Sequence, residues 1–264
     1  MSRTDLSRHA HQYYEDIKIR LAAQTRASIE QTVPYGPIKP ERVMSNENFS
    51  HHVRLVDLDS VSCLFDKPHA GKTCILNYAS YKNPGGFFLG GSPAQEEALC
   101  HESNLYPVLL AFDGTYYEWN KNHLNRALYL DRALYSPDVI FEHDGRTKSA
   151  DVLTCAAPNY RTAHRFQKVT LEENNAIFKQ RIHFMYSIAE KNGVDTLIAG
   201  AWGCGVFMQD AYTTCRLMIE ALTEGNYKIS NIYFAIPNAN SSNFKGFKKY
   251  LDESKNFIPI LFEK

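Results

Sequence analysis

The chain has 264 residues, with 44% hydrophobic and 22% charged residues. That excludes a disordered chain and suits one sizeable core. Lys plus Arg and Asp plus Glu both number 29, which excludes a protein that coats nucleic acid through overall positive charge. A polyanion bound in one focused cleft stays open.

Residues 1–32 are polar with helical character, and Tyr13, Ile17, Leu21 and Ile29 mark a weak apolar stripe. Asp5, Glu15 and Asp16 interrupt the start, so no secretory leader is expected there. Pro34, Gly36 and Pro37 punctuate the end of the helical stretch. Short β-branched runs follow at 53–57, 73–78, 152–156, 196–199 and 231–236. They are nearly continuously apolar, as strands buried on both faces are. Residues 136–141 read as a strand that enters an Asp144–Gly145 turn. Thr170 with Glu173 predicts a capping box, Gly193 the stop of that helix, and Asp210 the cap of the next. The expected fold is a three-layer α/β/α sandwich with a mixed central sheet. One domain spans 1–264, with residues 1–40 as a helical extension packed on it.

Six cysteines are scattered without C-x-x-C pairing. They read as reduced, mostly buried thiols of a cytoplasmic protein. No segment approaches the roughly 18 consecutive apolar residues of a membrane helix, so no membrane is expected as a partner. No ligand spacing fits a metal.

Two glycine-rich loops carry the chemistry. In the first, a buried strand runs into Asn83–Pro84–Gly85–Gly86–Phe87 and on to Gln95–Glu96–Glu97. Ser92 is the expected N-cap, with Pro93 at the first helical position and Gln95 completing a capping box. Read alone, this is a tight turn with acids that complement a helix dipole. The second is Trp202–Gly203–Cys204–Gly205–Val206–Phe207. It too joins a strand to a helix, and its N–H groups with the helix N-terminus suit a phosphate. It is neither a Walker loop nor G-x-G-x-x-G. Two such loops point to one nucleotide diphosphate across the strand ends.

These loops resemble the signature of bacterial-type poly(ADP-ribose) glycohydrolases, members of the macrodomain superfamily. The likeness runs through residues 75–80, 98–100, 135–139, 151–159 and 200–207, in the family's order. It implies a glycohydrolase that binds ADP-ribose and cleaves ribose–ribose bonds of poly(ADP-ribose). By the resemblance, Glu97 matches the catalytic acid, and Gly85 and Gly86 line the ribose being released. Asn83 matches a ribose contact. Gly203, Gly205, Val206 and Phe207 fall on the loop that wraps the diphosphate and distal ribose. Asp57 or Asp59, with Asp59 preferred, is the candidate for the adenine amino group. Phe87 and Met208 replace glycines usual in the family.

Glycoside cleavage passes through an oxocarbenium-like transition state and needs a protonated carboxyl at the leaving 2′-oxygen. Adjacent helical residues point about 100° apart. Glu96 is therefore expected to orient a ribose hydroxyl or the loop, not to face Glu97. No cofactor is required. Partners are expected to be ADP-ribose, its polymer and ADP-ribosylated macromolecules, with the chain a monomer. The alternatives are a hydrolase of a smaller ADP-ribose derivative, on protein or nucleic acid, and a non-catalytic ADP-ribose reader.

Overall fold

The computed structural model describes residues 2–37, 51–254 and 260–262. The expected N-terminal helical stretch is two helices, α1 (Arg3–Arg20) and α2 (Ala22–Gln31). Ser2 opens α1 with a reciprocal capping box to Asp5. The Pro34 segment, expected only to punctuate, is a short edge strand, β1 (Val33–Tyr35). Proline is tolerated there because an edge strand need not donate from every residue.

Next come β2 (His52–Val56), α3 (Ser60–Asp66), β3 (Thr73–Tyr78), α4 (Gln95–His101) and α5 (Leu105–Leu110). A π-helical turn, Asp113–Tyr117, leads into α6 (Glu118–Lys121). β4 (Ala133–His143) and β5 (Arg146–Cys155) form a hairpin. Its turn residues Asp144 and Gly145 both adopt positive φ, as a tight hairpin turn requires. α7 (Tyr160–Gln167), α8 (Leu171–Lys191), β6 (Thr196–Ala199) and α9 (Ala211–Gly225) follow. β7 (Asn231–Ala235), α10 (Ser242–Ser254) and β8 (Ile260–Phe262) complete the described chain.

The expected caps are largely present. Thr170 accepts from the Glu173 N–H at 3.1 Å, but Glu173 turns to Arg126 instead of closing the box. Asp210 caps α9 through the Thr213 N–H at 2.8 Å.

One sheet runs in the order β1-β4-β5-β3-β6-β7-β2-β8. β1, β4 and β5 pair antiparallel, and β5 through β8 in that order pair parallel. Alternate side chains of β3 enter opposite cores, as strand geometry dictates. Cys74 and Leu76 join Phe178, Met185, Met218 and Phe247 of α8, α9 and α10. Ile75 joins Val61, Leu99, Leu105 and Ala10 of α3, α4, α5 and α1. This is the expected three-layer α/β/α sandwich with a mixed sheet. All six cysteines are free thiols, and all but the half-buried Cys204 are buried.

Candidate active site

β3 and β6 are parallel neighbours, so the loops leaving their carboxyl ends meet. Between them lies a cavity of about 700 Å³. Such a volume suits a nucleotide-sized ligand. Asn83, Gly86, Phe87, Gln95, Glu96 and Glu97 line it from the first loop and α4. Gly203, Gly205, Val206 and Phe207 line it from the second loop, and Asp59 from the turn before α3. Gly85 is the exception among the expected residues. It is buried behind Gly86 against Tyr106 and Cys100. The cavity therefore sits at the carboxyl ends of the parallel strands, where open α/β sheets bind ligands.

α4 starts later than expected. Its N-cap is Ala94, with no side-chain cap, and not Ser92. Gln95 makes no capping box. Its Oε1 accepts from the Tyr78 N–H at 2.9 Å, and its Nε2 donates to the Leu76 carbonyl at 2.9 Å and to Ser60 Oγ at 3.1 Å. The amide is a clamp that fixes the first turn of α4 to the end of β3. A cap could not compete, because those β3 groups would otherwise lie unpaired beneath the helix.

The clamp sets both acids. Glu96 and Glu97 are 3% and 6% exposed. Glu97 Oε1 accepts from the Phe87 N–H at 2.8 Å. Glu96 Oε2 accepts from the Ser80 N–H at 2.7 Å, and Oε1 from Asn77 Nδ2 at 3.3 Å. The two acids take different partners, as expected, yet both carboxylates pass beside Gly86. An ideal Cβ on Gly86 would stand 2.5 Å from Glu97 Oε1 and 3.0 Å from Glu96 Oε2. Glu96 reaches the Ser80 N–H at the start of the loop and Glu97 the Phe87 N–H seven residues on. Gly86, at φ +61, is what leaves room for both. Burial pushes the Glu96 carboxyl up to about 8; the Ser80 N–H opposes this, and the neighbouring Glu97 adds to it. Glu96 therefore keeps its proton at neutral pH.

The second loop is anchored by Trp202, which is fully buried and donates from Nε1 to the Cys155 carbonyl at 3.1 Å. The N–H groups of Gly203, Gly205, Val206 and Phe207 donate to no described residue. They are free for phosphate oxygens. The expected help from a helix N-terminus is absent, because the Asp210 carboxylate already caps α9. Met208 adopts φ +59, so it keeps a glycine-like backbone while carrying a side chain. Asp59 lines the cavity but also caps α3, accepting from the Val61 and Ser62 N–H groups at 2.9 Å each. Sequence reasoning missed Asn77, the buried partner of Glu96, and Tyr129, Asn159 and Lys82 on the lining. Asn77 and Asn159 lay within the recognised segments, but no local pattern marked Tyr129 and Lys82. Among the described residues, no cluster of three metal-ligating side chains forms.

The family model described as "Microbial-type PARG, catalytic domain" matches residues 4–144, which include all of α1 but Arg3, with Gln95, Glu96 and Glu97. The chain belongs to this family of microbial-type PARG catalytic domains. Solved structures agree with the assignment. A poly(ADP-ribose) glycohydrolase from Thermomonospora curvata superposes with a TM-score of 0.83 at 22% identity, covering 94% of this chain and 99% of that one. The same enzyme bound to the inhibitor ADP-HPD gives 0.80 at 23% identity, with 93% and 99% covered. These two likenesses concern the fold. A Deinococcus radiodurans poly(ADP-ribose) glycohydrolase in complex with ADP-ribose gives 0.78 at 27% identity, with 87% and 97% covered. No curated protein matches the chain. Within this PARG fold, the two glycine-rich loops and α4 face one shared cavity.

Proposed function

We propose that this protein is a poly(ADP-ribose) glycohydrolase that binds ADP-ribose across the two loops and cleaves the ribose–ribose bond. The observation that carries the reading is the buried Glu96 and Glu97 pair, drawn together at Gly86 beside the free N–H groups of the second loop. The diphosphate lies on the N–H groups of Gly203, Gly205, Val206 and Phe207. The terminal ribose lies at Gly86, with Asn83 at its edge. The adenine end points to Asp59, whose remaining carboxylate lone pairs can accept from an amino group.

Glu97 delivers a proton to the leaving 2′-oxygen as the C1″–O bond breaks. Water then adds to the oxocarbenium carbon and returns a proton to the carboxylate. Glu96 stays neutral beside it and holds the turn through Ser80. Positioning and proton transfer together supply the rate. No cofactor enters the scheme. One domain over 1–264 serves the reaction, and the described part of the 1–40 extension braces it, since α1 and α2 pack on α4, α5 and β4. The free thiols suit a reducing, cytoplasmic compartment. No helix among the described residues is long and apolar enough to cross a membrane. The protein acts as a monomer on ADP-ribosylated macromolecules.

The test is release of ADP-ribose by the purified protein from three substrates: polymer, mono-ADP-ribosylated protein and ADP-ribosylated DNA. The expected result is release from polymer. Release only from a mono-ADP-ribosylated substrate would replace the polymer with that derivative. Tight ADP-ribose binding with no release from any would leave a reader.

A further inference from the structure

The first turns of α1 sit against the loop that carries Phe87. Arg3 Nε donates to the Gly90 carbonyl at 3.1 Å, and Ser7 Oγ to the Leu89 carbonyl at 2.6 Å. The Arg3 guanidinium carbon stands 5.0 Å from the centre of the Phe87 ring. The ring lies flat in the space beside Gly90, where an ideal Cβ would fall 1.7 Å from a ring atom. Even so placed, Phe87 is 56% exposed. Beyond it runs a groove of about 340 Å³, bounded by Arg3, Leu6, Phe87, Gly91, Ser92 and Pro93. Phe87, Ser92 and Pro93 border both the groove and the main cavity. The two spaces thus share as a wall the residue whose N–H meets Glu97.

Bracing the loop uses Arg3 Nε and Ser7 Oγ. The terminal guanidinium nitrogens of Arg3 donate to no described residue. They stand at the groove beside an exposed ring, an arrangement that loop bracing does not require.

The polymer itself defines what lies past the scissile bond. Cleavage frees the 2′-hydroxyl of an adenosine ribose. That ribose carries an adenine at C1′ and a diphosphate at C5′. One aromatic base and two phosphates therefore lie within a single nucleotide of Glu97. A planar guanidinium fork suits phosphate oxygens, and an exposed ring suits a base or sugar face. We propose that Arg3 and Phe87, with the groove they border, form a leaving-side subsite for the diphosphate and base of the next poly(ADP-ribose) unit. The inference rests on the polymer reading above. It makes Phe87 a recognition element of the leaving side.

The test compares the parent protein with Arg3→Gln and Arg3→Lys on two substrates. One is poly(ADP-ribose); the other is an aryl glycoside of ADP-ribose, whose leaving group has no phosphate. At low salt, Arg3→Gln is expected to lower kcat/KM on polymer about three- to fivefold, the effect of one partly exposed charge contact. Both variants lose the Nε brace to Gly90, so any change in aryl glycoside turnover and ADP-ribose affinity is expected to be the same in Arg3→Gln and Arg3→Lys. The parent's loss of polymer turnover with added salt becomes shallower in Arg3→Gln and persists in Arg3→Lys, because a phosphate contact is screened. Equal losses on both substrates, or no loss on polymer, would overturn the subsite. A parent protein that cleaves the aryl glycoside but not the polymer would instead overturn the polymer reading, and the subsite with it.

Discussion

Two adjacent glutamates differ because their surroundings differ. Glu97 faces the Phe87 N–H at the cavity, while Glu96 reaches back to Ser80 and Asn77. Replacing Glu97 by Gln keeps shape and reach but removes the acid. Hydrolysis is expected to fall by about 10²–10⁴-fold, with ADP-ribose affinity within a few-fold by calorimetry. Full turnover in that variant would remove Glu97 from the mechanism. Glu96 makes a different forecast. Its carboxyl is raised from the ordinary 4.5 to about 8 by burial. In the unfolded chain it ionises near its ordinary value, so between these limits the folded state holds the extra proton. Stability from this group is thus full below pH 4.5 and is lost as pH rises through about 8. Glu96→Gln should therefore match the parent's melting temperature near the acid end of that window. It should gain on the parent as pH rises, at up to about 1.4 kcal/mol per pH unit. Parallel melting curves across the window would show that Glu96 is not held protonated.

At the scale of elements, the loop between β3 and α4 decides the geometry. Its helix begins at Gln95, because that side chain is spent on the backbone of β3 and on Ser60. Gln95→Ala leaves the Tyr78 N–H and Leu76 carbonyl without their partner. The expected cost is about 1–3 kcal/mol in denaturant unfolding. Because Glu96 and Glu97 ride on the same turn, kcat should fall more than ADP-ribose affinity. Loss of affinity with kcat intact would mean that Gln95 contacts the ligand and does not position the acids. The local pattern of Ser92, Pro93 and Gln95 suggested a capping box. The clamp was hidden, because its partners lie 17 and 19 residues upstream on β3. The second loop was readable as a phosphate loop. That its helix end was already taken by Asp210 followed from the predicted cap, once both are placed together.

For the whole molecule, the cavity is built from loops of parallel strands and holds little positive charge. Lys82 is the only Lys or Arg side chain among the described residues that line it. ADP-ribose binding should therefore depend weakly on salt and survive a chelator, with backbone N–H groups carrying the diphosphate. Groups held close in a pocket are screened less than exposed charges a Debye length apart, ~10 Å at 0.1 M salt. Titration calorimetry at two salt concentrations, with and without chelator, measures this. A steep salt slope would transfer the diphosphate to Lys82, and loss of binding with chelator would transfer it to a metal.

Taken by itself, the sequence determined six of the eight described strands, β2 to β7, and the caps of α8 and α9. Buried strands are nearly continuous apolar runs, and caps and Asp–Gly turns act over a few residues. It also determined the family, since both glycine-rich loops carry their residues in fixed local order. Only the tertiary structure decided that β3 and β6 are neighbours and that the two loops therefore share one cavity. It alone brought Asn77 and Ser80 under Glu96, turned both acids onto Gly86, and laid Arg3 over Phe87. Those contacts join residues that are far apart in sequence or diverge along the helix. They arise from burial and from backbone groups seeking partners, forces that have no signature in local spacing.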